Sequence, residues 1–350
     1  MFRMPTDLAP RRLTRDSPQA NRSTIRTWMN GAAAAAVVLV ASAPPSAAET
    51  YPSRTITIVV PFAAGGPTDA LARILAERIK LSLGQPVIIE NVTGAAGSVA
   101  VGRAVRSEPD GYTLNSGFLG THVLNGAIYS LKYDLLTDLE PVAQLASNPQ
   151  LIIARKDFPA TDLKELIAWL KTNPDKASQG TAGAGSAAHV AGAYFQNITG
   201  TRFRFVPYRG AAPAMQDLIA GHIDLMFDQA SNALPHVSSG AIKAYAVTAK
   251  ARLASAPNIP TVDEAGVQGF YIPVWHGLWA PKGTPKQVIA KLNAAVVEAL
   301  ADPSVRQRLA ALGQEVPPPE QQTPEALGAY QKAEIEKWWP IIRAANIKSE

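Results

Sequence analysis

Cysteine is absent from the 350 residues. That excludes thiolate catalysis, disulfide staples, cysteine-held metals and iron–sulfur clusters. It does not fix the compartment, because an oxidising space permits cysteines without requiring them. Charge is scarce too, at 17 % of residues, against about a quarter in an average domain. Of the 33 Lys+Arg and 28 Asp+Glu, six Arg and two Asp fall in residues 1–48, which leaves 27 against 26 for the rest. A nearly neutral body gives no support to nucleic-acid binding, which demands a dense basic surface. Long apolar runs are missing as well. The longest, Gly31–Ala43, has 13 residues, short of the ~20 that a membrane-spanning helix needs. Hydrophobic residues nevertheless make up 47 %, enough for a large core and too many for wholesale disorder. The length fits about two domains.

The apolar run follows a polar segment with Arg11, Arg12, Arg15, Arg22 and Arg26, and precedes Ala41-Ser42-Ala43 and Ser46-Ala47-Ala48. Positive, apolar, then small is the order of a secretory signal. Residues 1–48 are therefore read as a signal peptide cut after Ala48, with a cut after Ala43 as the alternative. A retained single-span anchor is the competing reading. Arg11-Arg12 lies too far upstream of the apolar run for a twin-arginine signal, so the general export route is expected.

Beyond residue 49, short apolar runs alternate with helical patterns. Thr55–Val60, Val87–Glu90 and Tyr112–Asn115 read as strands. Leu71, Ile74, Leu75 and Ile79 recur at helical spacing, and Gly84 stops that helix. Strand–helix–strand at this spacing predicts βαβ units on a parallel sheet. A second set starts near Val142, with strands at Leu151–Ala154, Phe203–Val206, Ile223–Phe227 and Ala244–Val247. Helices are expected over Asp162–Lys171 and Ala212–Ala220, the latter capped by Gly221. Thr284-Pro285-Lys286-Gln287 reads as a capping box with Pro at the first helical position. Asp302-Pro303 and Thr323-Pro324-Glu325 start further helices, and Pro340 is expected to kink the last one. Two α/β lobes follow: a discontinuous lobe I (49–147 plus 273–350) around a continuous lobe II (148–272). Val142–Leu145 and Tyr271–Leu278 are the expected hinge crossings.

Four glycine-rich turns follow predicted strands: Pro61–Asp69, Glu90–Ser98, Ser116–His122 and Gly180–His189. In open α/β sheets, ligands bind beyond the carboxyl ends of strands, where such turns gather. The helices that follow present unpaired N–H groups and positive dipole ends there. The fitting ligand is an anion. Apart from Arg209, these segments and the Tyr208-Arg209-Gly210 stretch hold no cation, which favours a carboxylate over a phosphate. Asp69 at a helix start and Asp228 at a strand end are each either a cap or an acceptor for a ligand hydroxyl, amine or water. Tyr208 is a candidate cleft wall. Trp275 and Trp279 read as packing, and Trp338-Trp339 as an anchor for the terminal helix.

Enzyme signatures are weak. Gly183-Ala184-Gly185-Ser186-Ala187-Ala188 formally matches the dinucleotide fingerprint, but lacks a preceding apolar strand and an acidic residue about 20 positions on. No P-loop, H-E-x-x-H, EF-hand or G-x-S-x-G pattern occurs. The histidines (122, 189, 222, 236, 276) have no metal-ligand spacing. Ser186 and His189, at i and i+3, are either a nucleophile–base pair or two donors facing one anion.

The motifs, taken in order, carry a resemblance. They are Tyr51-Pro52, Pro61-Phe62, Gly65-Gly66, Asp69, Gly94, Gly97-Ser98 and Asp110-Gly111-Tyr112-Thr113-Leu114. Then come Gly120-Thr121-His122, Gly183, Gly185-Ser186, His189, Val206-Pro207-Tyr208-Arg209-Gly210, Asp217-Leu218, Gly221 and Ile223-Asp224. Ile259-Pro260-Thr261-Val262, Glu264-Ala265-Gly266, and Trp275 with Gly277 through Pro285 complete them. The sequence resembles the extracytoplasmic solute receptors of tripartite tricarboxylate transporters, the TctC-like Bug family. The resemblance implies a type II Venus-flytrap fold, each lobe a mostly parallel sheet flanked by helices, with a two-strand hinge. It implies no catalysis and no cofactor. The implied partners are a membrane permease and a small carboxylate: a di- or tricarboxylate, an acidic amino acid or an aromatic acid. The receptor is expected to be a periplasmic monomer. Its implied ligand contacts in the first lobe are Phe62, Ala63, Ala64, Gly65 and Gly66, then Gly94, Ala95, Ala96, Gly97 and Ser98, with Ser116 and Thr121 as additions. In the second lobe they are Thr181, Gly185, Ser186 and His189, joined by the Tyr208 and Asp228 singled out above. Pro67 stands where many relatives carry Ser, which removes one donor, and Phe118 in the third turn is expected either to narrow the cleft or to line it with an aromatic ring. A periplasmic hydrolase or transferase using Ser186 and His189, and a sensor for a signalling partner, are the alternatives.

Overall fold

β-Branched side chains build the first strand, β1 (Ile56–Val60), and Pro67 at the first helical position opens α1 (Pro67–Leu83) in the computed structural model, which describes residues 51–348. Gly84 closes α1 in the left-handed region at φ 67°, its N–H donating to Lys80 O. Next come β2 (Val87–Asn91), α2 (Ser98–Val105), β3 (Thr113–Phe118), a π-helical turn Gly120–Leu124 and the single-turn α3 (Asn125–Ile128). β4 (Leu139–Arg155) is followed by α4 (Leu163–Thr172), β5 (Ser178–Thr181), α5 (Ala187–Thr199), β6 (Arg204–Pro207) and α6 (Ala211–Ile219). Then come β7 (Leu225–Gln229), α7 (Ala230–Ser238), β8 (Ile242–Val247), β9 (Pro273–Pro281), α8 (Lys286–Ala301), α9 (Pro303–Ala311) and α10 (Pro324–Ala344). The predicted export segment, residues 1–48, lies outside the described residues.

The strands run in the order β2-β1-β3-β9-β4-β7-β5-β6, with β8 also paired to β4. β1 is parallel to β2 and β3, and β5 is parallel to β6 and β7. β4 and β9 break the parallel pattern. Residues 139–149 of β4 pair antiparallel with β9, and residues 150–155 pair antiparallel with β7 and β8. One strand thus belongs to both halves of the sheet. In the sequence it reads as two separate runs, because Pro141 and Pro149 punctuate it. The structure absorbs Pro141 at a register shift between Pro141 and Ala143, a bulge-like site where a missing N–H is tolerated.

Other expectations shift for local reasons. The capping box at Thr284 does not form: its hydroxyl donates to Pro281 O at 2.7 Å, and Pro285 takes the cap position with no side-chain bond. Ser116–Phe118, read as part of a turn, extends β3. α10 runs through Pro340 to Ala344. Asp302 and Thr323 cap as expected, accepting from the N–H of Ser304 and Val305 and of Ala326. Trp275 and Trp279 on β9 are fully buried, and Trp279 Nε1 donates to Gln331 on α10 at 3.2 Å. These rings lie in a hydrophobic cluster that runs unbroken from Phe62 and Phe118 through Ile152 to Phe195 and Phe227. Continuous apolar packing across the β4–β9 crossing holds the two half-sheets in one frame.

Candidate functional site

The chain segments that leave β1, β5, β6 and β7 meet at one pocket, and each runs into a helix. Gly66–Asp69 begin α1, Ser186–Ala188 begin α5, Ala211 begins α6, and Gln229 stands before α7; all line the pocket. Four helices therefore begin at one space, which lies at the positive ends of their dipoles. Among the described residues, no Lys or Arg lines it. The space between these residues, open solvent at its mouth included, is about 500 Å³. Phe62, Phe118, Ala182, Met226 and Phe227 give it apolar walls. Phe62 meets Phe118 edge to face, with centroids 5.4 Å apart. Small apolar-walled pockets with a few converging polar groups are where proteins hold metabolites.

A second, outer cleft lies on the other side of Phe62 and Ala182, which line both. Ala63, Gly94–Gly97, Tyr129, Gly183, Ala184, Tyr208 and Arg209 form its walls. The two sides touch here. Ala63 N donates to Arg209 O at 3.1 Å, and the Tyr129 hydroxyl donates to Ala184 O. Gly94, Ala95, Ala96 and Gly97 all have positive φ, 44° and 47° at the two alanines. A side chain at Gly97 would lie 2.6 Å from Thr121 Cγ2 and 2.7 Å from Pro61 Cβ, so this turn approaches its neighbours too closely for any Cβ.

Of the sequence-derived candidates, Phe62, Gly66, Asp69, Ser186 and Asp228 line the inner pocket. Ala63, Gly94, Ala95, Ala96, Gly97 and Tyr208 line the outer cleft, together with Phe62. The remaining ones line neither. Ala64 is exposed. Gly65 N donates to Asp69 Oδ2 at 2.9 Å. Ser98 Oγ accepts from Asn125 Nδ2 at 2.9 Å. Ser116 is buried beside Ile58, Leu75 and Leu278. Thr121 Oγ1 lies 2.9 Å from His122 Nδ1. Thr181 Oγ1 accepts from Gly183 N at 3.3 Å, and Gly185 N donates to His189 Nδ1 at 3.0 Å. Ser186 Oγ accepts the backbone N–H of His189 at 3.3 Å, which is a helix cap.

The two aspartates in the pocket differ. Burial pushes the Asp69 carboxyl up, but bonds from Arg73 Nε, Gly65 N and Asn91 Nδ2 outweigh it and hold the group below the usual range. Asp228 has only neutral donors, the N–H of Gln229 and the amide of Asn232, and burial pushes it up to about 6. His276, stacked on Phe118, and His122, stacked on Trp279, are held neutral by burial, which pushes each down to about 3.

Sequence reasoning missed Gln150 and Gln229. Both line the inner pocket, 2 % and 8 % exposed, and the Oε1 of each has no partner among the described residues. They face each other across β4 and β7. The usable signal was weak: Gln229 directly follows Asp228 at a strand end, whereas Gln150 belongs to a strand that Pro149 obscured.

Half-sheets joined by shared strands, with helix N-termini gathered between them, define the two-lobed periplasmic-binding-protein class. Residues 71–347 match the family described as the tripartite tricarboxylate transporter family receptor, and the chain belongs to that family. The solved structure of the periplasmic binding protein BugD is 42 % identical with a TM-score of 0.82, covering 85 % of this chain and 100 % of that one. MatC of Rhodopseudomonas palustris, solved with bound malate, is 42 % identical with a TM-score of 0.81, covering 83 % of this chain and 100 % of that one. A further R. palustris protein, solved with adipate, is 33 % identical with a TM-score of 0.81, covering 85 % of this chain and 99 % of that one.

Proposed function

We propose that this chain is a periplasmic receptor that captures a small dicarboxylate between two lobes and hands it to a tripartite tricarboxylate-type membrane permease. The observation that carries this reading is the inner pocket, where four helix N-termini converge without a single cationic side chain. Backbone N–H groups can each take a carboxylate oxygen, and the dipoles favour its negative charge. The relatives solved with malate and adipate support the same ligand class. Residues 49–147 plus 273–350 act as one lobe and 148–272 as the other, with β4 and β9 as the hinge strands. Closure follows ligand binding because only the closed state lets both lobes donate to one anion. Residues 1–48 direct export and are removed.

Thermal shift against a panel of mono-, di- and tricarboxylates, acidic amino acids and aromatic acids tests this. A ligand that binds only the folded state raises the melting temperature by mass action. Stabilisation by dicarboxylates, with the compound recovered unchanged, is expected. No response to any carboxylate, or turnover of the bound compound, overturns the reading.

A further inference from the structure

The inner pocket offers donors on several sides but also a fixed acceptor. Asp228 is 4 % exposed and lines the space together with Gln229, the residue that pairs with Gln150 across β4 and β7. A carboxylate has about four acceptor positions, and among the described residues Asp228 accepts from the Gln229 N–H, at 2.9 Å, and from the Asn232 amide. The glutamine amides can turn either edge towards a guest, donor or acceptor. An ionised carboxylate can only accept. Gln150 and Gln229 therefore adapt to the ligand, whereas Asp228 selects among ligands.

We propose that Asp228 is a specificity-determining residue that accepts a hydrogen bond from a hydroxyl or ammonium substituent on the bound acid, so that this receptor prefers 2-substituted dicarboxylates to unsubstituted ones. This rests on the dicarboxylate reading above. An unsubstituted acid brings a second carboxylate, or bare methylene, against Asp228. The buried acceptor is then left unpaired or faces like charge, and both are costly in a desolvated site. The escape is protonation, which turns Asp228 into a donor.

The surrounding charges do not remove this conflict. From α1, Asp69 is already held by Arg73. From α5, His189 Nδ1 accepts from Gly185 N. On α6, Asp217 is paired with the Tyr208 hydroxyl and His222. On α7, His236 sits in the last turn, away from the pocket end. β5 brings no titratable side chain, and β4 brings Glu140 and Arg155, neither of which lines the pocket. From β9, His276 lies against Phe118 and 3.4 Å from Thr68 Oγ1, and His122 is stacked on Trp279; burial keeps both neutral.

The test is calorimetry on matched dicarboxylates of four, five and six carbons, each unsubstituted, 2-hydroxy and 2-amino, with the wild-type chain and Asp228→Asn. Within the chain length that binds best, the wild type should prefer the substituted acids by at least about tenfold at pH 7.5. Asp228→Asn should cut that preference below about threefold, weakening the 2-amino acid most and leaving the unsubstituted acid unchanged or tighter. In buffers of different ionisation enthalpy, the wild type should take up a proton with the unsubstituted acid and none with the substituted ones. Equal wild-type affinity for a matched set, or an equal loss for all three acids in the variant, overturns the role of Asp228 and leaves the receptor reading standing. Should the variant fail to fold, the wild-type ratio and proton count decide alone. Failure of every dicarboxylate to bind overturns the receptor reading, and the role of Asp228 with it.

Discussion

Asp69 and Asp228 look alike in the sequence: an aspartate near a strand end with a helix beginning close by. Their surroundings make them opposites. Asp69 is anchored by a guanidinium, a peptide N–H and an amide, and it stabilises the fold while ionised. Asp228, buried among neutral donors, is raised from 3.8 to about 6. A carboxyl that titrates higher in the folded chain favours folding in its protonated form. That contribution is complete below the unfolded value and is lost as pH rises through about 6. Asp228→Asn is therefore expected to raise stability at pH 7.5 by up to about 3 kcal/mol. Below pH 4 the gain should disappear, as read from urea melts at both pH values. Ala95, exposed at φ 44°, sits in the left-handed region that costs a side chain ~1–2 kcal/mol. Against the extra chain entropy of glycine, Ala95→Gly should still stabilise by ~0.5 kcal/mol, measured in the same melts.

Among the elements, the helix starts were the most legible. Asp162, Asp302 and Thr323 mark beginnings that the structure retains, because capping is decided by a few consecutive residues. Thr323→Ala removes the bond to Ala326 N and should cost about 1 kcal/mol of stability, with ligand affinity unchanged, since Thr323 lines neither the pocket nor the outer cleft. The exception, Thr284, had the right neighbours, but the preceding turn claimed its hydroxyl. β4 was the least legible element. Its prolines break the local pattern, and only pairing with β9, β7 and β8 makes it one strand. Helix α7 went unread for a related reason: Pro235 lies inside it, and its position is fixed by packing against β4, β7 and β8.

At the scale of the whole molecule, the outer cleft is where the sides meet. The Tyr129 hydroxyl bridges to Ala184 O, and Ala63 N to Arg209 O, without lining the inner pocket. If the lobes close as proposed, such contacts bias the closed state, and apparent affinity scales with the fraction of molecules able to close. Tyr129→Phe should weaken ligand binding by about three- to tenfold, mainly through faster release, as resolved by stopped-flow fluorescence. Since no cationic side chain lines the pocket, binding should respond weakly to salt. Raising the salt from 0.05 to 0.5 M should lower affinity by less than about threefold in calorimetry. A steep fall would assign part of the binding energy to Arg209 in the outer cleft.

The sequence by itself excluded thiol and metal-thiolate chemistry, marked the glycine turns and helix caps, and carried its family in the order of its motifs. Each of these is written in residue types or short-range spacing. The tertiary structure alone decided which turns share a space, that Gln150 belongs with Gln229, and that one aspartate is neutralised while the other stays unpaired by charge. Those properties depend on burial and on partners far along the chain. Desolvation and charge pairing are set by what packs alongside a group, and local sequence holds no record of that.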